Sequence, residues 1–463
     1  MYKYYKPDFA NQFMNNGNVS DKTDNNKEEQ KMELTTYKRP LNRRAGDTAV
    51  REQEMRNARE AKEAFDKSEF LAARGCHYSL NDYETQLNNN VMVIGGAGTG
   101  KSRTIVSPNI EKAVGSYLIL DPKGALYNKY AKYLEQKGYN VGLIDFTNPS
   151  HSLHFNPLEE VNTPQDIMKI TEVLIYDERT MESRADPFWD QNARYLLNSI
   201  IGYLKETNIM PCTFQTVMQL LREGERPDED TKNSALSARF ENLKKVRGTS
   251  WAAEQFEVVN CAPEKTYDCI KLSMASKFAT IDVPEIRKMT SSNDIDFKRI
   301  AQEKTAIFVT VSDTDRSLDV LANIFFTQAM QKLCEYADNE CPDRRLPIPV
   351  RFILDDFATS CRISDFPRMI STIRARSISV MLMLQSEAQI EKYYGIDADT
   401  IISNCDTYIY LGGNDIKSAR SVSERCNKPL NTILNMPVGS CWVFRRGENP
   451  VFTSVNKPSE RER

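Results

Sequence analysis

From about residue 90 onward, short, mainly apolar runs alternate with longer mixed segments. The runs are 91–95, 116–121, 140–146, 306–312, 350–357, 378–385 and 406–411. They are apolar on successive positions rather than on every second one, as expected of strands covered on both faces of a parallel sheet. Helical or long connections between several of them predict an α/β fold with a doubly wound sheet. Near the end, 440–446 and 450–455 flank Gly447-Glu448-Asn449 and predict a closing hairpin.

Between 163 and 285 the strand pattern stops. Phe188, Trp189, Ala193, Leu196, Leu197, Ile200 and Leu204 recur at helical spacing, as do Phe214, Val217, Met218 and Leu221 behind a capping Thr213, and then Leu236, Phe240 and Leu243. This predicts an all-helical insertion whose Met and aromatic stripes form its core. Residues 1–70 are polar and charged, with a basic run Lys38-Arg39-Pro40-Leu41-Asn42-Arg43-Arg44 and a helix expected over 47–70 that carries few large apolar residues. They read as a solvated N-terminal arm, able to dock an anionic partner. The expected organisation is therefore the arm 1–70, a first part of a nucleotide-binding domain 71–162, the helical insertion 163–285, and a second part 286–463.

Composition narrows this picture. A chain of 463 residues exceeds one ordinary domain. Its net charge of −3 provides no global basic footprint, so any nucleic-acid surface must be a local patch. No apolar run reaches the roughly 18 residues of a membrane-spanning helix, and Met1-Tyr2-Lys3-Tyr4-Tyr5-Lys6 lacks a signal-peptide core. The ten cysteines include no Cys-x-x-Cys pair, the closest spacings being Cys334/Cys341 and Cys261/Cys269. They read as reduced thiols of a cytoplasmic protein. His77, His151 and His154 form no metal pattern.

The chemistry concentrates at strand ends. Gly95-Gly96-Ala97-Gly98-Thr99-Gly100-Lys101-Ser102 follows the first run and opens a helical segment, the context a phosphate-binding loop requires. Its glycines let backbone N–H groups face phosphate, Lys101 reaches the outer phosphates of ATP, and Ser102 offers a hydroxyl to Mg²⁺. The run Phe352-Ile353-Leu354 ends in Asp355, the candidate magnesium-side carboxylate, and Asp356, the candidate base for the attacking water. Asp121 and Lys123, in Asp121-Pro122-Lys123-Gly124, end another run and face the same crevice. Gln385 ends a third and could sense the γ-phosphate. Arg374 and Arg376 precede that run and could act on a neighbouring subunit's ATP or form structural salt bridges.

Together these residues resemble the TraG/VirD-type coupling ATPases of conjugation and type IV secretion. The resemblance spans about 75–455. It rests on Gly100-Lys101-Ser102-Arg103 continuing to Pro108-Asn109, on Asp121-Pro122-Lys123-Gly124, and on Phe155-Asn156-Pro157-Leu158. Further matches are Asp186-Pro187-Phe188-Trp189, Leu354-Asp355-Asp356-Phe357-Ala358, and 373–380 leading to Gln385-Ser386-Glu387-Ala388-Gln389-Ile390 and Tyr394-Gly395. The last is Asn404-Cys405-Asp406-Thr407 running to Leu411-Gly412-Gly413. The resemblance implies a RecA-like P-loop nucleotide-binding domain with an inserted all-α domain that helps select cargo. It also implies a homo-hexameric ring, and ATP-driven transfer of relaxase-bound single-stranded DNA or protein cargo through membrane-bound secretion channel proteins. Gly95, Gly98, Thr99, Gly100, Lys101, Ser102, Arg103, Asp121 and Lys123 would hold the nucleotide.

Two departures qualify the implied function. The family usually begins with transmembrane helices, so this chain is expected either at the inner face of the membrane through a partner or as a soluble member of the family. The residue after the Walker B Asp is often Glu, whereas here it is Asp356, one methylene shorter. An ATP-hydrolysing coupling protein is the leading expectation. An ATP-binding receptor or adaptor with little turnover, and a soluble FtsK/HerA-like DNA translocase, are the alternatives.

Overall fold

A computed structural model describes residues 48–175, 186–225 and 234–458. The basic run 38–44 and most of the expected arm lie outside them.

All seven apolar runs are strands of one nine-stranded sheet, in the order β11-β10-β9-β3-β8-β7-β4-β6-β5. Seven strands run parallel: β3 Val91–Ile94, β4 Ser116–Leu120, β5 Asn140–Asp145, β6 Thr305–Thr310, β7 Val350–Leu354, β8 Ile378–Leu384 and β9 Thr407–Tyr410. The closing hairpin, β10 Ser440–Arg445 and β11 Val451–Ser454, adds antiparallel to β9. Every residue of β3, β4, β6, β7, β8 and β9 is buried, which explains the mainly apolar, non-alternating runs. Alternate residues feed two cores. Met92, Ile94, Leu118 and Leu120 join one. Val91, Val93, Tyr117 and Ile119 join the other, with Ile105, Val106, Leu126 and Tyr130 from the helices behind.

Among the described residues between β5 and β6 there is no strand, and six helices of nine residues or more span Pro164–Phe278. The longest, Pro187–Thr207, is capped by Asp186, whose carboxylate accepts from the Phe188 N–H. Leu196, Leu197, Ile200 and Leu204 are buried along it, and Phe240 stacks on Phe256 with ring centroids 4.2 Å apart. Thr213 caps Phe214–Arg222, whose apolar stripe is buried as expected. Phe188 and Trp189 differ from the expectation. They are 43% and 37% exposed, because they occupy the first turn, ahead of the part of the helix that packs.

Two further differences concern the N-terminal side. The helix is Thr48–Asp66, not 47–70, and it is no solvated arm at its C-terminal end. Ala58 and Ala61 pack against Ile348, and Phe65 is buried. The chain then forms a hairpin that the sequence pattern did not reveal, β1 Glu69–Ala73 with β2 Cys76–Ser79. Its strands are four and five residues long and carry exposed Glu69 and His77, so they lack the continuous apolar signal of the main sheet.

Candidate functional site

Parallel strands bring all their C-terminal ends to one edge, and in an open α/β sheet that edge forms the ligand crevice. Here β3 lies between β9 and β8, with β7 and β4 beyond β8. The loop after β3 curls tightly, with Gly98 and Gly100 at φ 77° and 84°. Alternation of this kind turns successive N–H groups toward one concave side, a nest for anions. Gly95 leaves no room for a side chain: a Cβ there would stand 2.6 Å from Thr99 Oγ1 and 3.0 Å from Leu411 Cβ. Thr99 Oγ1 donates to the Gly96 carbonyl at 2.8 Å and braces the loop. The helix that follows opens with a wide π turn, Ser102–Val106, before Ser107–Ile110.

Lys101 is 8% exposed and folds back into the loop, donating to the Gly95 carbonyl at 2.7 Å. Burial lowers its pKa, and the charges of Asp356 and Asp355 oppose that shift. Ser102 Oγ donates to Asp355 Oδ2 at 2.5 Å, joining residues 253 apart in sequence. Burial lifts the Asp355 carboxyl above its ordinary value. The Ser102 hydrogen bond works against that rise, and the neighbouring Asp356 adds to it. Asp356 follows with φ 51°, in the left-handed region, and its carbonyl accepts from the Thr359 and Ser360 N–H groups in a tight turn. Asp355 and Asp356 are thus held in different frames, one against Ser102 and the other on a turn above it.

Asp121 ends β4 and is 2% exposed. Its carboxylate accepts from the Tyr127 N–H at 2.7 Å and so anchors the start of the helix Ala125–Gln136. Burial is the main cause that raises its pKa to about 6, and the charge of Asp355 contributes in the same direction. Lys123, at φ 79°, is exposed and paired with Asp313 at 2.9 Å. Arg103 is exposed on the first helical turn. Gln385 is exposed at the end of β8, directly after Leu384, whose carbonyl accepts from the Gly95 N–H at 3.0 Å.

Arg374 and Arg376 are not brought to this chain's own phosphate loop. They precede β8, whose seven residues span about 20 Å to the loop end. Arg374 donates to the Asp82 carbonyl at 2.9 Å, while Arg376 makes a two-pronged contact with Asp338 at 2.9 and 2.7 Å.

Two contributors stood in the sequence only within matched motifs and were given no role in the site. Gly412 and Gly413, after β9, lie against the phosphate loop, with the Gly96 N–H donating to the Gly412 carbonyl at 3.0 Å. A Cβ on Gly413 would stand 3.3 Å from the Gly96 nitrogen, so the paired glycines keep this approach open. Their adjacency at a strand end was the available signal. The other is Gln389, whose amide bridges two strand-end turns. Nothing in its spacing announced a partner 30 residues upstream.

Among the described residues no group of side chains could by itself hold a metal, all ten cysteines are free, and no helix is long and apolar enough to cross a membrane.

Comparison with known proteins gives a consistent picture. A search of curated protein sequences finds no match. Among solved structures, the bacterial conjugative coupling protein TrwB lacking its first 70 residues, in complex with sulphate, superposes with a TM-score of 0.64. The identity is 15%, over 86% of this chain and 92% of that one. TrwB in complex with ADP and Mg²⁺ gives 0.61 at 16% identity, over 86% and 92%. VirB4 of Thermoanaerobacter pseudethanolicus gives 0.50 at 14%, over 86% and 99%. These likenesses establish the shared fold: the chain has the RecA-like α/β architecture of the coupling proteins. The family model for type IV secretory system conjugative DNA transfer matches residues 18–429, nearly the whole chain, and the protein belongs to that family.

Proposed function

We propose that this protein is an ATP-hydrolysing coupling protein of conjugative transfer, binding Mg²⁺-ATP at the loop 95–102. The observation that carries the reading is the meeting of Ser102 Oγ and Asp355 Oδ2. A hydroxyl from the phosphate loop and a carboxylate from the neighbouring strand end, side by side, form the donor set for a nucleotide-bound Mg²⁺. Both would hold the ion. Lys101 would exchange its contact with the Gly95 carbonyl for the outer phosphates, and the Gly98 and Gly100 conformations direct backbone N–H groups to the same place. The bound ion neutralises charge on the phosphates. Asp356 is the group that takes a proton from the attacking water at its carboxylate oxygen, with Gln385 alongside.

In this reading Arg374 and Arg376 serve a neighbouring subunit's site, and a hexameric ring brings them there. Release from Asp82 or Asp338 accompanies that use. The helical segment 163–285 acts as an inserted domain that selects relaxase-bound single-stranded DNA or protein cargo. Attachment to the membrane runs through a secretion-channel partner. A second reading, an ATP-gated receptor with little turnover, is favoured by the shorter Asp356 and by the intramolecular partners of both arginines.

ATP hydrolysis measured against protein concentration, with and without single-stranded DNA, separates the two. Turnover that rises with concentration and DNA, and vanishes in Lys101→Ala, supports the motor. Tight ATP binding with no turnover under any of these conditions supports the receptor, and turnover retained by Lys101→Ala refutes the site itself.

A further inference from the structure

The turn after β7, which carries Asp356, and the turn after β8, which carries Gln385, belong to adjacent strands. A backbone hydrogen bond from the Phe357 N–H to the Met383 carbonyl at 3.0 Å joins the first turn to β8 itself, short of Gln385. The Gln389 side chain links them. Its Oε1 accepts from the Gln385 N–H at 2.8 Å, and its Nε2 donates to Thr359 Oγ1 at 2.9 Å. The amide orientation is forced, because a backbone N–H only donates and must face the oxygen. Thr359 in turn donates its own N–H to the Asp356 carbonyl at 3.2 Å.

The line extends in the other direction as well. The Leu384 carbonyl, one residue before Gln385, accepts from the Gly95 N–H at the entrance of the phosphate loop. Three strand ends, β3, β8 and β7, are thus tied in sequence, the last step by the Phe357–Met383 backbone bond and by the Gln389 side chain. Aromatic packing supports the same joint. Phe357 stacks on Tyr394 with ring centroids 6.2 Å apart, and the Tyr394 hydroxyl contacts both the N–H and the carbonyl of Ile363.

Helix capping alone does not account for this arrangement. Gln389 is the third residue of the helix Glu387–Tyr394, and a side chain there commonly reaches back to the helix start. Glutamate performs that task equally well, since only an acceptor is needed. The contact with Thr359, on a separate turn, lies outside that task.

We propose that Gln389 is a positioning residue that holds the Asp356 turn and the Gln385 turn in one frame, so that both meet the terminal phosphate of the nucleotide together. The proposal rests on the nucleotide-site reading above. Its consequence is specific. Breaking the clip weakens recognition of a triphosphate, which reaches these turns, and spares a diphosphate, which the loop 95–102 holds by itself.

The test measures binding of a non-hydrolysable ATP analogue and of ADP, each with Mg²⁺, by titration calorimetry, together with steady-state kcat and KM. The variants are Gln389→Met, which removes both contacts of the amide, Thr359→Val, which removes the acceptor hydroxyl, their double mutant, and Thr359→Ser, which retains a hydroxyl. Gln389→Met and Thr359→Val should each lower the preference for triphosphate over ADP by about tenfold, the order of a lost hydrogen-bonded contact. ADP affinity and melting temperature should stay as in the wild type, and kcat should fall with KM for ATP little changed. The double mutant should be no worse than either single one, and Thr359→Ser should recover what Thr359→Val loses. An unchanged triphosphate preference in both single variants, or losses that add in the double mutant, overturns the proposal while leaving the nucleotide site intact. A wild-type chain that binds neither nucleotide, or a Lys101→Ala variant that binds both as well as wild type does, overturns the site reading and this proposal with it.

Discussion

Replacing Asp121 with Asn should stabilise the nucleotide-free protein at neutral pH and lose that advantage in acid. Asp121 is almost fully buried beside Asp355, and its carboxyl is raised from 3.8 to about 6. A folded-state pKa above the unfolded one means that the folded chain binds the proton more tightly. The protonated acid therefore contributes its full stability below about pH 4, and that contribution is lost as pH rises through 6. The displacement corresponds to about 3 kcal/mol of penalty for the ionised group at pH 7.5. Asparagine carries no charge and keeps an oxygen to accept from the Tyr127 N–H, so it retains the helix anchor without the penalty. Urea midpoints of both chains, followed by intrinsic fluorescence without nucleotide, should place Asp121→Asn above wild type at pH 7.5. The gap should shrink by roughly 2 kcal/mol at pH 4. A gap independent of pH, or a variant less stable than wild type at pH 7.5, refutes the reasoning.

Two other substitutions probe the same molecule from different sides. Gly95→Ala would press its Cβ to 2.6 Å from Thr99 Oγ1 and 3.0 Å from Leu411 Cβ. It should cost about 1–3 kcal/mol of stability and weaken ATP binding, with Thr99→Ala partly restoring both. Affinity equal to wild type in fluorescent-nucleotide titrations would show that the loop has slack. Arg351 on β7 is 5% exposed, with Nε bonded to Ser379 and Nη2 without a partner, and burial lowers its pKa to about 10. Arg351→Met should raise the unfolding free energy obtained from urea titration, by up to about 1–4 kcal/mol on the scale of buried-charge replacements; a fall would mean that the guanidinium is better satisfied than its contacts indicate.

The legible parts of the fold and the illegible ones differ in physical character. Strands β3, β4, β6, β7, β8 and β9 were visible because burial on both faces leaves few polar positions, Arg351 and Ser379 among them, to interrupt them. The phosphate loop was visible because its chemistry lies within eight consecutive residues. Asp355 was legible as a strand end, but its partner Ser102 was assigned by role; their contact is a property of strand order, which no local pattern encodes. The β1–β2 hairpin was missed because short strands with exposed polar residues resemble loops. The aromatic spacing at Phe188 and Trp189 was read correctly as helical and wrongly as core, since periodicity identifies a face and not what covers it. Arg374 and Arg376 were recognised as candidates, yet their partners Asp82 and Asp338 come from remote segments.

The place of β3 in the sheet has a consequence for how the protein is made. Both of its neighbours, β8 and β9, are encoded far downstream, so the strand that carries the phosphate loop emerges from the ribosome with nothing to pair with. From Ile94 to Leu384, the last residue of β8, the distance is 290 residues. At a synthesis rate of about 5–20 residues per second, that leaves roughly 15–60 s of waiting. During that interval Val91-Met92-Val93-Ile94 is an apolar segment with unsatisfied edges on both sides. The nucleotide site is therefore among the last features of the chain to be assembled, and its leading strand must be kept from misassociation until the final third of the polypeptide arrives.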